Sequence, residues 1–366
     1  MSIPRSSAGH MMGWRITIER RSASNWIDSL LLTVIAAGLS VAASSVLLVF
    51  AGVDVYGAFE ALLLGAFGDR HSIAGSLTEA VPLAFAGLSA GLAFRARIWN
   101  VGQEGQLYAG SMMAFWLSSS IALPSVILIP LVVVAGFLGG SLLGLLCGFL
   151  KSHFRVDVII STVMFNYIVV LLLSYLLASQ IWMEPGQYYM QTPRVPEGAR
   201  LPGLMSGTSL HAGLLLAVVA IVAVHILLAR TTFGFSLRAF GSNDEAARFR
   251  GIDPRWMFIM VLAVSGGLAG VGGVMQTYGV DLRLTTTSLQ GLGPAGIIVG
   301  VIAGMRPFAI GVAAVLFGGL AHGALFMEVI AGVSSAMVMA MQAIILIFFV
   351  SVSAFANFQL KVSPSA

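Results

Sequence analysis

Two short polar segments interrupt an otherwise apolar sequence, and they hold most of the side chains able to hydrogen-bond a ligand. The first is Trp99-Asn100-Val101-Gly102-Gln103-Glu104-Gly105-Gln106-Leu107-Tyr108. Amides and a carboxylate within an apolar stretch are costly unless they pair with one another or line a wet cavity. Two interpretations are open: a broken helix whose polar groups face a hydroxyl-rich solute, or an interfacial turn in which Asn100 and Glu104 cap a helix.

Polar residues inside later apolar stretches extend the set of candidate binding residues. An asparagine in the middle of the run 157–179 must find an internal hydrogen-bond partner, and the tyrosine after it could stack on a ring. We predict that a solute path would be lined by Asn100, Glu104, Gln106, Asn166, Tyr167 and Gln276.

The second polar segment, residues 230–256, contains a complete set of signals for a short helix. Ser242 or Asn243 can cap its start, and acidic residues follow at the positive end of the helix dipole. Arginines lie at the negative end, where Gly251 can adopt the left-handed conformation that ends a helix. Asp253-Pro254 then supplies the N-cap and the first-turn proline of the next helix.

A capped two-turn helix is more than a linker requires, and two roles are open for it. The helix could dock on a cytoplasmic partner, or it could lie on the lipid interface. In the docking interpretation the contact residues are Arg238, Gly241, Asn243, Glu245, Ala246, Ala247, Arg248 and Gly251.

Catalytic chemistry finds little support. The two lysines, Lys151 and Lys361, are not preceded by the glycines of a phosphate-binding loop. The H-E-x-x-H and G-x-S-x-G motifs and histidine pairs at metal spacing are missing from the sequence. The single cysteine, Cys147, excludes internal disulfides and thiolate-rich metal sites. We therefore predict no catalytic residues, no metal ligands, no bound cofactor and no ATP hydrolysis by this chain.

Long apolar runs must position these segments. The 366 residues are 58% hydrophobic and 9% charged, against roughly a quarter charged in soluble domains. Runs of about 18 to 25 apolar residues are long enough to cross a bilayer as helices. We predict an all-α integral membrane protein, one domain over residues 1–366, built as a polytopic bundle of about ten transmembrane helices. Broken helices and an inverted repeat are compatible with this count. The predicted spans are 29–51, 77–94, 105–123, 125–150, 157–179, 211–229, 256–277, 291–305, 308–327 and 333–356, of which 291–305 is short enough to be a partial span.

The distribution of basic residues orients these spans. Of 19 Lys and Arg residues, fifteen fall on one side when the N-terminus is placed inside, and four fall on the other. This bias predicts that both termini are cytoplasmic. It also predicts a cytoplasmic tail over 1–27, an extracytoplasmic loop over 180–210 and a cytoplasmic loop over 230–255.

Glycines recur every fourth residue in several runs. One stripe is Gly136, Gly140, Gly144 and Gly148. Such stripes let helix backbones approach closely in a membrane. Tight packing is the simpler interpretation, and a sliding surface for alternating access is the other.

Three motifs, in order along the chain, carry a resemblance to a known family. Phe94-Arg95-Ala96-Arg97-Ile98-Trp99-Asn100-Val101-Gly102-Gln103-Glu104-Gly105-Gln106 resembles the signature F-x-x-G-x-(F/W)-N-I-G-x-E-G-Q of bacterial ABC-importer permeases of the nucleoside and simple-sugar class. The run Asp157-Val158-Ile159-Ile160-Ser161-Thr162-Val163-Met164-Phe165-Asn166-Tyr167-Ile168 is similar to the segment E-V-I-x-T-L-M-L-N-Y-I of that family. Residues 230–247 resemble R-T-x-x-G-x-x-L-R-A-x-G-x-N-x-x-A-A.

The resemblance implies a transmembrane permease subunit of an ATP-driven importer in the bacterial inner membrane. Its partners would be a second permease in a heterodimer, a cytoplasmic ATPase that uses ATP-Mg, an extracytoplasmic solute-binding protein and the lipid bilayer; nucleic acid is not expected. Residues 238–251 would form the helix that couples the permease to the ATPase. The loop with Tyr188 and Tyr189 would help to receive the binding protein, or it would be a surface loop without that role.

Nucleosides are the leading cargo implied by this resemblance, and simple sugars come next. The alternative function is a stand-alone, ion-coupled secondary transporter of a polar solute. That alternative lacks an obvious aspartate or glutamate at the centre of a predicted span for ion coupling. A membrane-embedded enzyme would need catalytic groups that the sequence does not offer.

Overall fold

The computed structural model describes residues 14–20, 26–186, 188–356 and 358–364, and helices make up most of this part of the chain. The helices are α1 (Trp26–Phe50), α2 (Val55–Phe67), α3 (Arg70–Arg95), α4 (Gln103–Ser120), α5 (Ser125–Phe154), α6 (Val158–Ala178), α7 (Gly213–Arg230), α8 (Thr232–Ser242), α9 (Asp244–Phe249), α10 (Pro254–Gln276), α11 (Leu292–Ile302), α12 (Pro307–Ala331) and α13 (Ser335–Ala356). A 3₁₀ turn covers Glu197–Ala199, and a π-helical turn, Thr277–Asp281, extends α10.

The chain divides into two compact units. One contains residues 1–58 and 331–366, and the other contains residues 59–330. In the first unit α1 packs against α13. There, strand β1 (Trp14–Arg20) pairs antiparallel with β2 (Phe358–Pro364). The predicted cytoplasmic tail thus includes a strand that we did not anticipate, although its alternation of apolar and polar residues has the period of a β-strand.

The second unit is a helical bundle centred on α3 and α10. In the most apolar 18-residue stretch of α3, 89% of the residues are buried inside the bundle. The same share for α10 together with its π turn is 72%. Helix α10 packs against α3, α4 and α5, and α11 packs against α3. By contrast, only 28% of the corresponding stretch of α6 and 22% of that of α7 are buried. Their apolar outer faces therefore have the character of lipid-facing surfaces.

The lengths of the helices confirm a polytopic membrane architecture that is nearly all helical, with the β1–β2 pair as an exception. Among the described residues, six helices are long and apolar enough to span a bilayer, and four shorter apolar helical segments accompany them. Helix α11 has 11 residues, which is about 16 Å and roughly half of a hydrocarbon core. The segment 291–305 is therefore a partial span. Helix α2 was not predicted, because its 13 residues fall short of a crossing.

Glycines join α5 to α10 along a close backbone contact. A Cβ atom added to Gly140 would overlap the carbonyl oxygen of Gly266, and one on Gly144 would overlap that of Leu262. The relation is reciprocal, because a Cβ on Gly266 or Gly270 would meet the backbone of α5. The packing interpretation of this glycine stripe is confirmed. We call the contact the α5–α10 seam.

Candidate functional site

The polar segment between α3 and α4 forms a fully buried hydrogen-bond network. The Asn100 side chain donates from Nδ2 to Gln106 Oε1 at 3.0 Å and to Ser265 Oγ at 2.9 Å. Its Oδ1 accepts from the backbone N–H of Gly102 at 3.0 Å. Ser265 in turn donates to the Ser89 carbonyl at 2.9 Å. Asn100 and Gln106 therefore join α3, α4 and α10, and in this conformation their polar groups are used inside the bundle.

Asn166 holds the same segment from the other side. Its Oδ1 accepts from the backbone N–H of Gly105 at 2.8 Å, and its Nδ2 donates to the Val101 carbonyl at 3.1 Å. The hydroxyl of Thr162, one turn earlier on α6, accepts from the Val101 N–H at 3.4 Å. The prediction that Asn166 needs an internal partner is confirmed. The partners are main-chain groups of an irregular segment, so Asn166 has a clear structural function.

This geometry predicts the effect of Asn166→Ala. Both main-chain groups would lose a partner in a partly buried site, so we expect a loss of about 2 kcal/mol of stability and a lower apparent Tm of the purified protein. Tyr167→Ala is the control, because Tyr167 is 64% exposed and should shift the Tm little. If Asn166 only contacted cargo, Asn166→Ala would reduce uptake per folded molecule and leave the Tm unchanged, which would contradict the structural role.

Glu104 and Tyr108 anchor a second irregular segment, residues 282–291, which leads into the half-length helix α11. Glu104 Oε2 accepts from the N–H of Gly291 at 3.1 Å. The Tyr108 hydroxyl donates to the Thr286 carbonyl at 2.8 Å and accepts from the Leu289 N–H at 3.1 Å. Non-helical backbone at membrane depth is tolerated only where such groups satisfy it. The start of α4 at Gly102 shows no side-chain cap, so the capping role of Asn100 and Glu104 is not observed among the described residues. A solute-facing role for the segment 99–108 stays a prediction.

The other candidate residues lie apart from this network. Gln276 is 8% exposed, and its Nε2 donates to Asp281 Oδ1 at 3.2 Å. Tyr167 lies on the exposed face of α6, so the structure does not group it with Asn100 or Gln106. A solute-path role for the six residues stays a prediction.

Sequence reasoning missed two residues with buried polar atoms, Gln103 and Asp281. Gln103 is fully buried, and neither polar atom of its side chain has a partner within the described part of the chain. Asp281 also retains one unpartnered carboxylate oxygen among those residues. The burial of Gln103 could not be anticipated, because the polar residues around it were also compatible with a turn at the membrane interface. Gln276 and Asp281 are five residues apart, outside the three- and four-residue spacings that pair side chains on an α-helix. The π turn that brings them together was not predicted.

The predicted cytoplasmic loop folds into two helices rather than one. Helix α8, which begins at an N-cap formed by Thr231, was not predicted. Helix α9 occupies the predicted position and ends as expected. The N–H of Gly251 bonds the Arg248 carbonyl at 2.9 Å, and the N–H of Ile252 bonds that of Ala247 at 3.1 Å. With a φ of 82° at Gly251, this is the Schellman arrangement. Asp253 caps α10, as predicted, through the Arg255 N–H.

The eight candidate docking residues differ in exposure. Ala247 is 2% exposed, and a Cβ on Gly241 would overlap the Arg95 carbonyl, so these two residues support the loop from within. Arg238 donates to the Leu228 carbonyl at the end of α7. The exposed members are Asn243, Glu245, Arg248 and Gly251. The side chain of Ala246 lies outside the described residues. Phe249, which was not among the candidates, is 94% exposed on α9.

On the opposite side of the bundle, the loop between α6 and α7 is fastened to the end of α10. Main-chain N–H groups of the loop bond carbonyls beyond α10 in three pairs: Thr192 to Leu284 at 3.1 Å, Val195 to Leu282 at 2.9 Å and Leu201 to Tyr278 at 3.1 Å. Arg283 pairs with Glu184, and both side chains are 24% exposed. This bond to Arg283 lowers the pKa of the Glu184 carboxyl below its usual range.

The Glu184 ion pair predicts a pH dependence of this loop. The carboxylate contributes stability above its ordinary pKa of 4.5, and this contribution is lost as the pH falls through the lowered folded-state pKa. We expect Glu184→Gln to speed protease cleavage within the loop at neutral pH. We also expect acidification to increase cleavage in the native chain, and this increase to be weaker in Glu184→Gln. Glu197→Gln is the control, because Glu197 is 88% exposed. Equal cleavage of the two variants would show that the Arg283 contact does not hold the loop.

Comparisons with known proteins agree with this architecture. The family described as branched-chain amino acid transport system, permease component, matches residues 72–350. The guanosine ABC transporter permease protein NupP of Bacillus subtilis is 31% identical over 89% of this chain and 94% of its own length. The glucose ABC transporter permease protein TsgB13 of Haloferax volcanii is 30% identical over 94% of this chain and 93% of its own. The nucleoside ABC transporter permease protein NupB of Lactococcus lactis is 30% identical over 76% and 79%.

No solved structure matches the chain. The family match covers most of the bundle, the Asn100 network and helices α8 and α9. With its helices, its three motifs and these relatives, the chain belongs to the family of branched-chain amino acid transport system permease components and is an ABC transporter permease.

Proposed function

We propose that this chain forms the translocation path of an ATP-driven nucleoside importer in a bacterial inner membrane. The observation that carries the cargo class is the 31% identity to a guanosine permease over 94% of that protein. A second relative of comparable identity is a nucleoside permease. Simple sugars are the second candidate, because a glucose permease is 30% identical over nearly the whole chain.

The proposed assembly has four kinds of subunit. A second permease pairs with this chain as a heterodimer, a cytoplasmic ATPase binds ATP-Mg, and an extracytoplasmic protein delivers the solute. Helix α9 docks on the ATPase, with Phe249 and Arg248 exposed for contact. Closure of the ATPase then moves α10 through the short connection after Gly251. The charge bias along the chain supports an orientation with both termini in the cytoplasm.

The proposed solute path involves the polar segments around Asn100 and Glu104. In this conformation Asn100 and Gln106 satisfy one another, so a solute would meet them only after the helices shift. Buried polar pairs that exchange partners can distinguish two states of a bundle. The amide of Gln103, which has no partner among the residues that the structure describes, is a further group able to accept or donate a hydrogen bond in such a shift.

Uptake measurements test the cargo and the energy source together. The chain, co-expressed with its neighbouring transport genes in cells lacking nucleoside uptake, should support accumulation of labelled guanosine or uridine. A parallel panel of glucose and ribose tests the second candidate. Accumulation should persist when a protonophore is added and cellular ATP is kept constant. Loss of uptake under that condition would favour the ion-coupled alternative. Uptake of sugars alone would replace the nucleoside assignment.

A further inference from the structure

Three arginines from distant parts of the sequence line one cavity of about 560 Å³. Arg95 ends α3, Arg238 lies in α8, and Arg306 precedes α12. Arg95 donates from Nε to the Met305 carbonyl at 2.8 Å, and Arg238 donates to the Leu228 carbonyl. These main-chain bonds fix two of the guanidinium groups at the wall of the cavity.

The positive charge of this cavity is not balanced by its lining. The other lining residues are neutral or apolar: His225, Leu228, Ala229, Pro307, Phe308 and Ala309. The charges of Arg238 and Arg306 both act on Arg95 and repel it. Within the described residues Arg306 has no ion pair. Gathering three like charges costs free energy, which a bound anion would offset.

The first turn of α12 adds hydrogen-bond donors to the same wall. The backbone N–H groups of Phe308 and Ala309 lie in that turn, where no carbonyl of the helix itself can accept from them. The positive end of the helix dipole points the same way. Guanidinium groups combined with a helix start match the geometry and charge of a phosphate group.

Apolar surface leads away from the cavity along two neighbouring helices. On α7 the residues Val218, Val222 and Ile226 are 52%, 41% and 49% exposed. On α12 the residues Phe308, Val312 and Leu316 are 54%, 66% and 60% exposed at intervals of four. The rings of His225 and Phe308 lie 4.7 Å apart, so the two helices meet beside the cavity. The surface therefore combines a basic head site with two apolar tracks.

We propose that this cavity binds the phosphate of an anionic phospholipid whose acyl chains lie along α7 and α12. Free phosphate shares the head chemistry but would leave the apolar tracks unused. An acidic side chain of a partner subunit would also fit the charge, yet it would approach from the aqueous side, away from the lipid-facing surface of α7. Basic pockets between transmembrane helices on the cytoplasmic side are suited to such headgroups. The site is independent of the cargo.

Lipid binding to the full-length chain in phosphatidylcholine nanodiscs tests this proposal. Phosphatidylglycerol is titrated in, and bound lipid is counted by native mass spectrometry. We expect Arg306→Gln to weaken phosphatidylglycerol binding about fivefold, and Arg306→Lys to retain most of it. Arg306 is exposed, so both variants should fold. Arg230→Gln is the matched control, because Arg230 is an exposed arginine at the end of α7 that does not line the cavity.

Three outcomes would overturn the proposal. The first is an equal loss in Arg306→Gln and Arg230→Gln, which would indicate diffuse surface charge. The second is thermal protection by inorganic phosphate alone without preference for phosphatidylglycerol, which would assign the cavity to free phosphate. The third is unchanged lipid binding in Arg306→Gln with weakened association of a partner subunit, which would assign the cavity to that partner.

Discussion

Gly140→Ala is expected to destabilise the bundle by about 3 kcal/mol, the upper part of the usual range for overpacking. A Cβ at this position overlaps the Gly266 carbonyl and lies 2.9 Å from the Gly270 Cα. Backbone atoms cannot rotate away as a side chain can, so α5 and α10 would have to separate along the seam. The measurement is the apparent Tm and the yield of monodisperse full-length protein after purification.

Gly38→Ala is the control for this prediction, and it should have the opposite sign. Gly38 lies in α1, and among the described residues no atom outside its own helix turn lies within 4 Å of the position where a Cβ would be added. Alanine there gains about 1 kcal/mol of helix propensity without a clash. If Gly140→Ala were as stable as Gly38→Ala, the seam would not be a close packing contact. The interpretation as a loose sliding surface would then be preferred.

Phe249→Asp is expected to weaken binding of the ATPase and to lower ATP-dependent uptake. Phe249 is 94% exposed on α9 and contributes little to the fold of this chain. If it is an anchor in a groove of the ATPase, its loss should cost about 2 kcal/mol of binding, or about thirtyfold in affinity. We expect ATP-dependent uptake to fall as the fraction of permease bound to the ATPase falls, while the amount of this chain in the membrane stays at its usual level. Pull-down of the ATPase by the purified permease measures the affinity directly.

Phe154→Asp is the matched control for the docking helix. Phe154 ends α5, is 67% exposed and lies near the predicted cytoplasmic boundary. A comparable loss in both variants would indicate a general effect of acidic residues on this face. Normal uptake and normal ATPase association in Phe249→Asp would contradict the docking role of α9.

Local chemistry explains which parts of the structure could be predicted. The end of α9 at Gly251 and the start of α10 at Asp253 depend on residues within one turn, so their signals are contained in a few consecutive letters. The long apolar runs are similarly self-contained. Helix α8 was missed because its cap, Thr231, was assigned to a loop together with the basic residues that follow.

Contacts between distant residues explain what could not be predicted. Asn166 was expected to have an internal partner, but its bonds to Val101 and Gly105 depend on how α6 packs against α4. The pairing of Asn100 with Ser265 likewise depends on the position of α10. Three arginines could be assigned to one side of the membrane from the sequence, whereas their convergence on one cavity could not.

The continuity of α10 has a mechanical consequence. The helix with its π turn runs for 28 residues from Pro254 to Asp281, about 40 Å. One end follows α9 after four residues, and the other leads directly to the carbonyls that fasten the opposite loop. The two ends therefore belong to one continuous helix. A displacement of either end would be transmitted to the other through the helix backbone, without a series of intermediate side-chain contacts.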